Sequence, residues 1–484
     1  MNDHAAIEIV ELNDAAVGTD TAGFDARMVA EERLDTTGTR PSARPVNADA
    51  GSGNDIAVAR LLDGIRSLLE EAPSGFQAET SPCTIFRIPP PLRGINPKAE
   101  EPEIVSIGPY HRGRPQVLAF ERLKPLFLKR FLRRTDWDLE KLTQFVAGQE
   151  ISVRTRYSEN VAMTSDDLVQ MMLLDGCFVV ELLLHFHESG NEADENDPIF
   201  ARPQIIPMII RDLLKLENQI PYFLLQLLVS GPLPHEVTAN IGSLATLALK
   251  LFNQTYPRPM ALLKCWGTLK CEHLLDLFCS SLYPTSRVRP NYTKEKWPSA
   301  QSVPCVTELR PSGIKFKSRK ADSLMDISFR KPVLQKWVLQ IPYITIDDFM
   351  TTVLINCVSL EQCRESRSKY MTDYVSFMHC LINQPKDVSL LRSDGIIALY
   401  SHDDQYVVDL FDKLGKSISF NVYDCFLSKQ FEELESYYRS NWANMMRTYF
   451  SSPWSSISAF SAFLVIVLGI TQTVFAVLTF IFHR

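Results

Sequence analysis

The sequence predicts a mainly α fold: a large helical body with a small antiparallel β meander, a disordered N-terminal tail and one C-terminal transmembrane helix. Three observations carry this. Apolar residues recur at helical spacing through most of residues 56–446. A period of two replaces that spacing only between Gly313 and Ile344. From Thr448 to Phe482 no residue is charged. At 484 residues, 45% hydrophobic and 22% charged, the composition excludes a wholly disordered, collagen-like or small disulfide-stapled chain.

The tail, residues 1–55, is rich in Ala, Asp, Thr and Gly and poor in large apolar side chains. It cannot bury enough surface to offset its ordering entropy, so disorder is expected. Residues 1–60 hold 11 acidic and 5 basic side chains, a net −6 of the −7 on the whole chain. The near-neutral remainder gives no electrostatic reason to bind nucleic acid. The N-terminus has neither the basic region nor the apolar run of a secretory signal.

The body is expected over residues 56–450 as one unit. Residues 56–76 have one apolar helical face, and a proline-rich stretch from Pro82 to Pro102 follows. Residues 118–134 form a basic amphipathic helix whose cations read as a solvated face, with a membrane or anion patch as the alternative. Residues 166–187 are apolar nearly all round, so that helix is buried. It ends in His185 and His187, whose i, i+2 spacing turns them apart and does not suit a metal. Asn191–Pro198 reads as an acidic loop. Residues 206–229 form a buried helical pair broken at Pro221, with Asn218 or Gln219 capping the second helix. Residues 284–304 read as a surface loop. Gly313–Lys317, Ser323–Phe329 and Val338–Ile344 alternate as three short strands. From Phe349 to about Met446 the period is helical again, with Asp347-Asp348 read as the N-cap and a metal site as the alternative.

The span is expected within residues 455–482. As a helix, the last 24 residues from Ala459 would extend about 36 Å, enough to cross a hydrocarbon core. Trp442, Tyr449 and Trp454 precede it as an aromatic belt. Arg439 and Arg447 on the body side against Arg484 beyond favour a cytosolic body with a C-terminal anchor. Either sequon, Asn253-Gln-Thr255 or Asn291-Tyr-Thr293, would matter only for a body on the other side.

Motifs for chemistry are few. There is no G-x-G-x-x-G, H-E-x-x-H or G-x-S-x-G. Gly415-Lys-Ser417 has the end of a P-loop without its glycines. Ser106 and His111 lie close in sequence and are the one candidate catalytic pair, without a visible acid. No two of the ten cysteines have C-x-x-C spacing, and all read as reduced, buried small hydrophobes. No cofactor or metal site is expected.

What stands out is polar residues inside apolar helices: Asp175, Glu181, Glu217, Asn218, Glu361 and Gln362. Buried carboxylates without partners are costly, so these should be paired. Arg87 and Arg93 lie in the irregular proline-rich stretch. That stretch is expected against the helices at 166–187 and 206–229, with at least one guanidinium on Glu181, Glu217 or Glu361.

These residues sit in motifs that closely resemble the plant "domain of unknown function 247" family. They are Ile85-Phe-Arg-Ile-Pro89 with Leu92-Arg93, Glu103-Ile-Val-Ser-Ile-Gly-Pro-Tyr-His111, Leu174-Asp-Gly-Cys-Phe178, Asp212-Leu-Leu-Lys-Leu-Glu-Asn-Gln-Ile-Pro221 and Glu361-Gln-Cys363. Tyr374-Val-Ser-Phe-Met378, Asp387-Val388, Gly395-Ile-Ile397, Tyr449-Phe450 and Pro453-Trp454 continue the set, so the likeness runs from about residue 60 to 484. Arg112 stands where the family usually has a second histidine. The resemblance implies a single-pass plant membrane protein with no established enzymatic activity; some grass members are linked to self-incompatibility as pollen-side determinants. The expected function is membrane-tethered recognition or signalling, with the bilayer and an unidentified protein as partners. The alternative is a hydrolase-like enzyme using the Ser106–His111 region.

Overall fold

A computed structural model describes residues 83–188, 202–284, 303–331, 337–364, 369–400, 402–421, 425–450 and 453–482, together with Arg66 and Ile199. Contacts divide the chain into Met1–Gln77 and Ala78–Arg484. The expected tail disorder, almost all of the 56–76 helix, the Asn191–Pro198 loop, most of 284–304 with Asn291, and His483-Arg484 lie outside the described residues. So does the side chain of Trp454.

The fold is mainly helical. Two apolar helices organise it. The first, α3 (Ser165–Glu188), follows α1 (Lys124–Arg134) and α2 (Leu139–Ala147) and packs on both. It is buried almost continuously from Met171 to Leu184. Its length and apolarity suffice for a membrane span, but most of it is enclosed by protein, so it is a core helix. It also meets α5 (Tyr222–Ser230) and α6 (Leu244–Phe252), which follow α4 (Ile206–Leu213). The approach to α5 explains Gly176: a Cβ there would lie 2.5 Å from Leu228 Cδ1.

After α7 (Met260–Cys265) and α8 (Leu274–Leu282) comes the second organiser, α9 (Asp348–Cys363). Every residue from Phe349 to Glu361 is buried. Asp347 caps it by accepting the Met350 amide at 2.7 Å, as the sequence indicated. It packs against α8, α10 (Tyr370–Leu381) and the one-turn helix Pro97–Glu100. Then follow α11 (Pro385–Ser393), α12 (Asp404–Ser417), α13 (Ser428–Tyr438), α14 (Asn441–Tyr449) and α15 (Pro453–Phe482).

The β structure is not the expected antiparallel meander. β1 (Lys315–Arg319), β2 (Ser328–Arg330) and β3 (Val338–Pro342) form a sheet of order β1-β3-β2, with β1 parallel and β2 antiparallel to β3. Burial gives the reason. Four of the five β3 residues are buried, against one in β1, so β3 takes the centre and has both edges paired. A second parallel pair joins β4 (Ile344–Ile346) to β5 (Ile397–Leu399), which interrupts the stretch read as helical from Phe349 onward. Gly395-Ile-Ile397 is thus a helix exit into a strand.

Two further expectations are corrected. Neither Asn218 nor Gln219 caps α5; Pro221 occupies that position, and the Tyr222 amide donates to Glu272 O at 2.7 Å. The cysteines are not all reduced. Cys279 on α8 and Cys357 on α9 form a disulfide with Cα atoms 5.9 Å apart. Spacing in sequence could not show this, because the two lie 78 residues apart and meet only when the helices pack.

Candidate functional site

Of the polar residues singled out in the sequence, Asp175, Glu217 and Asn218 gather along a largely irregular segment, Thr84 to His111, whose stretch Val105–Gly108 is buried. An irregular backbone cannot satisfy its own amides, so buried side chains must do so. Asp212 at the end of α4 accepts the amides of Glu103, Ile104 and Val105 at 2.8–3.1 Å. Asn218 accepts Ile107 N at 2.7 Å and donates to Val105 O and Asp212 O. Asp175 on α3 accepts Gly108 N at 2.8 Å. Gly108 has φ +80°, and a Cβ there would stand 2.4 Å from Gln219 O, so both conformation and space require glycine.

Each of these carboxylates has a cation. Lys124 Nζ reaches Asp175 at 2.5 Å and Ser106 O at 2.6 Å, and also holds Glu121. Lys215 Nζ reaches Asp212 at 2.9 Å and Glu101 O at 2.5 Å. Lys124 was read as part of a solvated face; it is buried, because α1 lies on α3 beside Asp175. Arg134, also from that face, turns onto Glu181 at 3.0 Å. Burial outweighs that partner and raises the Glu181 carboxyl above its usual range.

Glu217 is the centre of a second group. It receives Arg87 Nη1 at 2.8 Å, Arg93 Nη2 and the Ile88 amide at 2.9 Å. Burial alone would raise its carboxyl, but the amide and the two guanidiniums hold it below the usual value. The Arg87 guanidinium also lies 3.9 Å from the Tyr110 ring centroid. Next to Glu217 lies His111, its Nε2 3.6 Å from Oε2. Burial first, then the Arg114 charge, pulls the His111 pKa down to about 4, so the imidazole is neutral at pH 7. Neither His111 nitrogen nor Ser106 Oγ has a hydrogen-bond partner, so no nucleophile–base bond links this pair.

Glu361 meets neither arginine. It accepts Met371 N, Thr372 N, Thr372 Oγ1 and Tyr283 Oη at 2.8–2.9 Å, and so holds the start of α10. Desolvation raises its carboxyl despite these donors. Gln362 donates to Thr372 Oγ1 at 3.2 Å and accepts Ser419 N at 3.3 Å.

Sequence reasoning missed Lys124, Arg134, Asp212, Lys215 and Asn356 as members. Asn356 on α9 accepts Leu216 N and donates to Ala99 O, each at 2.8 Å, tying the turn after α4 to the Pro97–Glu100 helix. Asp212 and Lys215 stood inside a quoted motif, and their i, i+3 spacing was a usable signal. Asn356 had none. Among the described residues no group of three His, Cys, Asp or Glu side chains is placed to hold a metal, and His187 instead meets Lys250 Nζ at 3.1 Å.

The plant family described as "Plant protein of unknown function", DUF247, matches residues 85–468, which contain every side chain in this network. The chain belongs to the DUF247 family. Two relatives come from Arabidopsis thaliana. UPF0481 protein At3g47200 is 34% identical over 82% of this chain and 87% of its own length. Putative UPF0481 protein At3g02645 is 21% identical over 84% and 93% respectively. No solved structure matches this DUF247 chain.

Proposed function

We propose that the chain is a membrane-tethered recognition or signalling protein without catalytic activity. One observation carries this reading: the 23 residues Phe460–Phe482 of α15 are long and apolar enough to cross a membrane, and none of that stretch is buried. The helix that precedes it is anchored in the body. Ala443 of the preceding α14 is fully buried, and Arg447 donates to Ser312 Oγ and Tyr438 O. The polar motif supports the same reading, since Asp175, Glu217 and Asn218 are spent on holding the Thr84–His111 segment and Glu361 on holding the start of α10. Affinity capture of the full chain from native plant membranes, with crosslinking, tests it. A reproducible protein partner is expected. Labelling of wild type but not Ser106→Ala by a fluorophosphonate would replace it with the hydrolase reading. A role in pollen self-incompatibility rests on the family likeness alone, and linkage of the gene to the incompatible phenotype tests it.

The side on which the body sits belongs to the same proposal. The charge asymmetry favouring a cytosolic body is one arginine, and Cys279–Cys357 takes two of the ten cysteines out of the reduced set while the other eight remain thiols. Disulfides persist in oxidising compartments. We therefore place the body on the lumenal or extracellular side. Glycan on Asn291 in the native protein is expected; the Asn253 amide is already bonded to Arg258. A body fully digested by protease added to the cytosolic face of sealed vesicles would reverse the assignment.

A further inference from the structure

A cavity of about 730 Å³ lies between the turn Thr255–Leu262, the end of β1 with Lys320–Asp322, and the junction of β4 with α9. That volume suits a small molecule. Arg258 is part of its wall and is the anomaly of the body. Its Nε and Nη2 are shielded from solvent without any hydrogen-bond partner, and Nη1 alone is bonded, to Ser281 Oγ at 2.7 Å and Ser281 O at 3.3 Å. The Phe278 and Tyr256 rings lie 5.2 and 5.6 Å from the guanidinium carbon. Among the described residues no carboxylate pairs with it. Other drawn-in arginines, such as Arg134, Arg211 and Arg364, each hold an acid.

Arg258 is half-buried, and guanidinium nitrogens shielded from water without a counter-charge are costly, so native structures rarely keep them without use. Desolvation pulls the Arg258 pKa down to about 10, which still leaves it charged at neutral pH. The position is also held in place: Asn253 accepts the Arg258 amide at 2.6 Å and donates to the Arg258 carbonyl at 3.1 Å. The acids around the cavity do not answer this charge. Asp326 is engaged by Arg319 at 2.8 Å, Asp347 caps α9, and Asp322 is exposed. Thr255 Oγ1 is a second buried polar atom of the wall without a partner.

We propose that this cavity binds a small organic acid, its carboxylate on the Arg258 fork and its apolar body against Tyr256, Leu262 and Phe349. One guanidinium matches one carboxylate in a two-bond fork. Reaching it takes a rotation of the side-chain end, and the bonds to Ser281 are the only ones exchanged. A second cavity of about 420 Å³ shares Leu262, Asp322 and Asp326 with the first. It contains Trp266, whose Nε1 is buried and partnerless, so a longer acid with a polar acceptor has room. The proposal is independent of the membrane reading.

The test uses the full chain in nanodiscs, with empty nanodiscs as control. Phenylacetate and hexanoate are the probes and phenylacetamide is the neutral counterpart, followed by calorimetry. Saturable binding of at least one acid is expected, with the amide bound at least about tenfold more weakly. Arg258→Met should abolish acid binding while leaving Tm unchanged or higher, because an uncompensated charge has been removed. Acid binding that survives Arg258→Met, equal binding of the amide, or no saturable binding of either acid overturns the proposal. A lower Tm for Arg258→Met with unchanged acid binding would make the arginine purely structural.

Discussion

Arg87 and Glu217 stand 130 residues apart in sequence and 2.8 Å apart in space. The contact fixes a proline-rich, irregular segment against the turn that follows α4. Arg93 grips the second oxygen of the same carboxylate, so the two arginines share one load.

That sharing predicts non-additivity. Either Arg87→Ala or Arg93→Ala leaves Glu217 with one cation, and each arginine is itself partly in water, so a loss of about 1 kcal/mol is expected for each. The double variant strands a buried carboxylate and should lose about 3–5 kcal/mol. Urea denaturation of the four proteins measures the cycle. Strict additivity would show that Glu217 does not depend on the pair.

Two glycines with the same φ of +80° separate conformation from space. At Gly94 a Cβ meets nothing within 4 Å, whereas at Gly108 it meets the Gln219 carbonyl. Gly94→Ala should cost about 1 kcal/mol. Gly108→Ala should cost about 2–4 kcal/mol, because backbone must also shift. Equal losses in thermal melts would mean that the segment yields more easily than its hydrogen bonds imply.

The disulfide closes a loop of 78 residues between two helices of the core. Chain entropy then sets its contribution at up to about 4–5 kcal/mol. Cys279→Ser with Cys357→Ser should lower the denaturation midpoint accordingly, and reductant should lower wild type but not the variant. If reductant shifts neither, the thiols are unbonded in the purified protein.

Acid should destabilise the body between about pH 6.5 and 4. Burial lowers His111 and His273 from 6.5 to about 4, so the unfolded chain takes up protons that the folded chain refuses. The stability is complete above the unfolded value and is lost as pH falls through the folded one. Each histidine can account for about 3 kcal/mol. His273 accepts Asp276 N through Nδ1 and meets Thr84 O through Nε2. A neutral tautomer satisfies both, and protonation breaks the first. His111→Asn should flatten the pH dependence of the midpoint, and an unchanged slope would remove His111 from the account.

The sequence by itself determined the helical class, the exposed apolar end and which apolar stretches carry polar groups, although Glu217 and Asn218 lie in the turn after α4 and not within a helix. Each is a local property of periodicity and composition, readable within one segment. It also indicated that Arg87 and Arg93 had a carboxylate to reach, because a buried acid needs a cation. Which carboxylate they reach was decided by packing: Glu217 follows α4 beside the segment, whereas Glu361 faces the start of α10 and is satisfied by its amides. Packing also turned Lys124 and Arg134 from an amphipathic surface into partners for Asp175 and Glu181, put β3 between β1 and β2, and joined Cys279 to Cys357. These are relations between elements far apart in the chain. Their energies come from desolvation and from distances that exist only after the helices have met, so no single stretch of sequence contains them.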